Sequence, residues 1–308
     1  MKKERLISLD ILRGADIFVL TVVSVIIAVV NKYHPLPGWL LTQFDHPEWI
    51  GFSFYDIIMP LFIFMSGASV PLANPKWAHV LRRFAMLWIF GMVAQGELLT
   101  FDLHRISFFN NTLQTIAWGY LITVIVMKAK ARWVPVVSAI ALALIYTLFL
   151  HLGGDMSPAG NAAVVYETKF LLWFYPDASW YPVSQIATYH YTWWPTIPMF
   201  GTMAICGALA TMVLRSELKG WTKVTRLALI GVGLLILGAI LNTFDPCVKH
   251  IFTASFTSYV MGVCFLLYGL CYALFDVLKI AKGTKLMTLF GRNSLLAYML
   301  HEIANLVR

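Results

Sequence analysis

Charge is what this chain has least of. Only 12% of its 308 residues are Asp, Glu, Lys or Arg, and 59% are apolar. A soluble domain carries about a quarter charged residues, so a soluble enzyme is excluded. Acidic residues are the scarcer sign, 15 against 23 basic, for a net charge of +8. That excess does not point to nucleic acid, because the basic residues are scattered through loops between apolar runs rather than gathered on one patch. Cysteine is also sparse. Cys206, Cys264 and Cys271 lie in apolar runs and Cys247 in a loop. With no CxxC pair, neither a disulfide framework nor a metal site is indicated. The chain has no evident internal repeat and no low-complexity tract, whereas a transporter built from inverted repeats is expected to carry internal symmetry.

What the chain has instead is long apolar runs. They fall at about 15–30, 53–73, 84–101, 112–127, 133–151, 196–214, 227–243, 252–276 and 286–304. Each is near the ~20 residues that a bilayer requires. The expected fold is all-α, a polytopic transmembrane bundle of about nine helices forming one domain over 1–308. The first run, Ala15 to Val30, is longer than a signal-peptide core and lacks a small-x-small cleavage site, so it reads as an uncleaved helix. Most lysines and arginines fall in alternate loops: Lys2, Lys3, Arg5 and Arg13; Lys76, Arg82 and Arg83; Lys128, Lys130 and Arg132; Arg215 to Arg226; Lys279 to Lys285. The positive-inside rule then puts the N-terminus in the cytoplasm and His46 on the far side of an inner, multi-pass cell membrane.

The stretch FDHPEWIGFSFYDIIMPLFIFMSG, Phe44 to Gly67, starts polar and ends as membrane. His46 titrates near neutral pH without large tuning, which suits a general base. Asp45 and Glu48 are the neighbouring carboxylates expected to hold its imidazole. Asp56 is a carboxylate inside an apolar helix, an expensive placement without a partner or a role. The stretch reads as a catalytic loop feeding into a transmembrane helix. Position alone does not single out His46, since His34, His104, His151, His190 and His250 fall on the same side.

Other polar groups cluster at helix ends. Asp10 and Arg13 are spaced to pair on one helix face. Asn31 ends the first helix, Gln114 opens the fourth, and Asn293, His301 and Glu302 lie in the last. Each alone fits bundle packing; together most suggest a wet outward cavity. Arg82 and Arg83 read either as topology signals and lipid-phosphate contacts or as a clamp for a phosphorylated cytoplasmic donor, since guanidinium donates two bonds to a phosphate at once. The polar segment 152–195 is rich in aromatics, including Trp173, Trp180, Trp193 and Trp194. It reads as an interfacial belt or as a cover that stacks on a sugar ring.

Six stretches, in order from end to end, resemble the heparan-alpha-glucosaminide N-acetyltransferase family. They are RLISLDILRG, HPEWIGFSFYDIIMPLFIFMSG, LRR at Leu81 to Arg83, LQTIAWGY, DPCVKHIFTASF and GRNSLLAYMLHE. The resemblance implies transfer of an acetyl group from cytoplasmic acetyl-CoA to the amine of a terminal glucosamine across the membrane. It places the active-site histidine on His46 and an upstream asparagine near Asn31. With Asp45 and Asp56 these form the expected catalytic set, while Arg82, Arg83, Arg13, Gln114 and Asn293 form the expected donor-binding set. The chain departs from the family pattern at Thr115 and Thr112, where an arginine and a glycine are usual. Relatives also continue by about another helix, so the chain reads as a shortened version. A homodimer is compatible with this reading. The rival expectations are an O-acyltransferase of an envelope glycan and a carrier for sugars or small solutes.

Overall fold

The computed structural model describes residues 6–94, 111–129, 131–174, 193–280 and 282–306. The described chain is helical throughout. Its one ladder contact is an isolated antiparallel bridge between Ile50 and Val248. In chain order the helices are α1 (Ile7–Tyr33), α2 (Gly38–Gln43), α3 (Phe54–Ala73), α4 (Trp77–Ala94), α5 (Thr112–Met127), α6 (Val134–Gly153), α7 (Ala162–Phe174), α8 (Trp194–Leu214), α9 (Gly220–Leu241), α10 (Ala254–Val277), α11 (Thr284–Arg292) and α12 (Ser294–Leu306). Six of them, α1, α3, α6, α8, α9 and α10, are long and apolar enough to cross a membrane.

Burial sorts these helices into a centre and a wall. The apolar windows of α3 and α8 are 72% and 67% buried, whereas those of α1, α6 and α9 are only 17% buried. On α6 and α9 large aliphatic side chains such as Leu144, Leu148, Leu229 and Ile236 stay exposed. In water that surface would be an aggregation hazard; in a bilayer it is solvated by lipid tails. The described chain is therefore a membrane protein.

Lipid gives helices no hydrophobic reason to associate, so close packing must hold them. At the α3–α8 crossing, a Cβ added to Gly67 would sit 1.7 Å from the Ala204 carbonyl oxygen, and one on Gly207 would sit 1.8 Å from that of Phe64. The α1–α11 crossing repeats the device: Gly14 lies against the Met287 carbonyl and Gly291 against that of Asp10. Any side chain at these four positions would push two backbones apart.

Several expectations need correction. The first helix begins at Ile7, not Ala15, so Asp10 and Arg13 lie inside it. The third begins at Trp77 and the seventh at Gly220, because opening turns that carry His79, Arg82 and Arg83 or Thr222, Lys223 and Arg226 extend a helix beyond its apolar run. The segment 286–304 is not one helix: it breaks between Arg292 and Ser294, where Asn293 leaves helical geometry (φ −112°, ψ 24°). The segment 152–195 holds a helix, α7, where a loop was expected. Residues 175–192, with many of its aromatics, lie outside the described residues, as does the end of the third apolar run.

Candidate active site

The site is assembled from two turns and one helix start. Pro60 lacks an N–H and cannot close a helical bond to the Asp56 carbonyl. Accordingly α3 opens as a tight 3-10 turn, Phe54–Ile57, before becoming α-helical. Ser53 caps it: its backbone N–H and hydroxyl both donate to Asp56 Oδ2, at 2.9 and 3.0 Å. This fixes a fully buried carboxylate with Oδ1 turned toward His46.

Before α3, the turn 45–51 carries His46. Gly51 has φ +148°, backbone that a side chain would strain. Its N–H donates to the Cys247 carbonyl at 2.9 Å, next to the Ile50–Val248 bridge. Trp49 donates through Nε1 to the Met156 carbonyl at 2.8 Å and stacks on His250 at 5.4 Å. These contacts clamp the histidine turn to the 242–253 turn, which delivers Lys249.

Three titratable groups then meet. His46 Nδ1 lies 2.7 Å from Asp56 Oδ1. Lys249 Nζ lies 3.3 Å from the same oxygen and 2.9 Å from each ring nitrogen of His46. An ionised carboxylate only accepts hydrogen bonds, so Nδ1 carries the hydrogen and Nε2 keeps its lone pair. The His46 side chain is 39% exposed, against 0% for Asp56 and 9% for Lys249. The His46 ring is thus the open member of the group, and its two partners are buried. Burial pulls the Lys249 ammonium down to about 8, against the opposing attraction of Asp56. Burial, with the charges of Lys249 and His46, also pulls His250 down to about 4.

Asp45 takes a different part from the one expected. It accepts the backbone N–H of His46 at 2.8 Å, so it shapes the turn, and the carboxylate on the ring is Asp56. Asn31 Oδ1 accepts the Leu36 N–H at 3.0 Å, a bond that closes the turn after α1. Gln114 is buried and accepts the Asn111 N–H at 3.1 Å, completing a capping box at the start of α5.

One cavity, about 510 Å³, is lined by His46, Glu48, Tyr55, Lys249, His301 and Glu302, among others. The second, about 650 Å³, carries Arg13, His79, Arg82 and Arg83. Arg83 also lies over the Tyr120 ring at 4.4 Å, a cation–π contact. Arg13 stands 4.0 Å from Asp10. Asn293 lines a neighbouring hollow that shares Arg13 and Arg83 with the basic cavity.

The cavities share three wall residues, Phe62, Thr112 and Tyr298. Four helices pass from one cavity to the other in consistent order. On α1 the step runs from Arg13 to Leu20, a rise of about 10 Å. On α12 it runs from Ser294 through Tyr298 to Glu302. On α3 it runs the other way, from Tyr55 through Phe62 to Ser66, and on α5 from Thr112 to Tyr120. The arginine cavity and the histidine cavity therefore lie at successive levels of these helices and share one set of wall residues.

The family model for heparan-alpha-glucosaminide N-acetyltransferase, catalytic, matches residues 5–240. The chain belongs to this family. No individually curated protein matches it. The matched stretch includes His46, Asp56 and the paired arginines, while Lys249 and Tyr298 lie beyond it. Sequence reasoning quoted Lys249 within DPCVKHIFTASF without giving it a role. The available signal was a lysine on the side of the bundle where lysines are few.

Proposed function

We propose that this acetyltransferase moves an acetyl group from acetyl-CoA in the basic cavity to the amine of a glucosamine-type sugar in the His46 cavity. The observation that carries the reading is the pair of cavities meeting at Phe62, Thr112 and Tyr298. One offers guanidinium groups suited to a phosphorylated donor, and the other offers a histidine whose Nε2 lone pair faces Lys249 Nζ at 2.9 Å. By the distribution of lysine and arginine the basic cavity opens to the cytoplasm and His46 faces outward across an inner cell membrane.

In this reading Nε2 of His46 takes the proton that the attacking ammonium must lose. The new C–N bond forms as the C–S bond of the thioester breaks, and the proton returns to the thiolate to give free CoA. The Lys249 ammonium beside the ring supplies positive charge where the tetrahedral oxyanion develops. The same lone pair serves a two-step route through an acetyl-imidazole, with the amine attacking second. Acid-quenching the protein with acetyl-CoA alone and weighing the His46 peptide tells the routes apart.

The decisive test uses detergent-purified protein, labelled acetyl-CoA and glucosamine, with and without His46→Ala. Wild type is expected to form N-acetylglucosamine, and the variant to remain folded and bind CoA while losing at least about a thousandfold in turnover. Retained turnover in His46→Ala would overturn the assignment. An ester product would move the reading to an O-acyltransferase, and CoA-independent sugar uptake into proteoliposomes would move it to a carrier.

A further inference from the structure

The partition between the cavities has a chemical consequence beyond joining them. Its members are not held alike. Thr112 begins α5 immediately after the Asn111 cap, whose Oδ1 accepts the Leu113 N–H at 2.7 Å. The Tyr298 hydroxyl donates to the same Asn111 oxygen at 3.5 Å. Both are buried, at 7% and 6% exposure. Phe62 has no polar handle. It is half-buried, one turn of α3 beyond Ile58 and one turn before Ser66. The partition thus has two tethered members and one apolar ring held by packing alone.

The cavity that holds His46 is also lined by Leu20, Ile58 and Met59. A thioester entering from the arginine side leads with its acyl group, because the sulfur and the rest of the donor trail behind. The acyl chain must pass Phe62 and come to rest against these three side chains while the carbonyl carbon meets Nε2. Every added methylene has to fit into that space, which the acceptor sugar also occupies.

The geometry points to Phe62 as the residue that sets acyl-chain length, admitting acetyl and turning away longer acyl groups. This inference rests on the acyltransferase reading above. Discrimination by one methylene in an apolar pocket runs at roughly 10- to 200-fold, enough to make short-chain preference measurable.

The test compares acetyl-, propionyl- and butyryl-CoA as donors to glucosamine, using the purified protein in detergent and product mass as the readout. Wild type is expected to lose at least about tenfold per added methylene. Phe62→Ala is expected to raise the butyryl-to-acetyl rate ratio by at least about tenfold, and Phe62→Leu, which keeps more of the packing, by less. If Phe62→Ala is not monodisperse, Phe62→Leu carries the test through the same ratio. A ratio that stays at the wild-type value in a folded Phe62 variant, or a wild type equally fast with all three donors, overturns the filter and leaves acyl transfer standing. Failure of wild type to transfer any acyl group removes the acyltransferase reading and the filter with it.

Discussion

Among the described residues, two histidines each pair with a buried aspartate in nearly the same construction. In one, His46 Nδ1 lies 2.7 Å from Asp56; in the other, His151 Nε2 lies 3.0 Å from Asp245. Both carboxylates are fully buried, and each gives its second oxygen to a serine backbone N–H, that of Ser53 or Ser255. The histidines are similarly open, at 39% and 34% side-chain exposure. What separates the pairs is their company. His46 has Lys249 at its ring and lines a cavity adjoining a basic one. The His151 pair joins the end of α6 to the 242–253 turn and the start of α10, the turn that holds Lys249 in place. In the proposed reading, a histidine–aspartate contact is a structural part in one place and the centre of a site in the other. A third charge and an approach path make the difference.

The largest way to break the comparison is Asp56→Asn. A carboxamide can donate to Nδ1 and impose the wrong tautomer, taking the lone pair from Nε2. Acetyl transfer is expected to fall by roughly a hundred- to ten-thousandfold. The equivalent Asp245→Asn change is expected to act on stability far more than on turnover, so measuring both rate and melting temperature for the two variants separates the roles.

Lys249→Met comes next, with a loss of about a hundredfold. The pH dependence sharpens it. Below about 8 Lys249 is an ammonium, so wild-type turnover is expected to decline as pH rises through about 8, and that alkaline decline should vanish in Lys249→Met. Stability moves the other way. The lysine is held below its ordinary value of 10.5, so the unfolded chain binds more protons between about 8 and 10.5. Its contribution to stability is present above 10.5 and is lost as pH falls through about 8. Melting curves of wild type and Lys249→Met across this window read that difference directly.

The smallest effect is expected from His151→Ala. It removes one of the hydrogen bonds to buried Asp245 and costs about 1–3 kcal/mol. Melting temperature should drop, while turnover changes only a few-fold through a looser Lys249 turn. A loss as large as that of His46→Ala would abolish the distinction between the pairs.

Much of this was legible in the residues before any coordinates. Apolar runs, scarce charge and the bias of lysine and arginine marked a helical membrane bundle, because spanning lipid imposes length and hydropathy on a segment regardless of its neighbours. Asp56 was conspicuous for the same reason: a carboxylate in an apolar helix needs a partner. Helix boundaries were less legible. The opening turns at Trp77 and Gly220 and the break at Asn293 depend on hydrogen bonding and packing rather than on mean hydropathy.

By itself, the amino-acid order determined the class of protein and the family, since each is written in local composition or in ordered motifs. Only the tertiary structure decided that Asp56 rather than Asp45 holds the imidazole, that Lys249 completes the group, and that Phe62, Thr112 and Tyr298 divide two cavities. Those contacts join residues from separate turns and helices. Their meeting is fixed by how glycine-lined helices cross, which no stretch of sequence specifies alone.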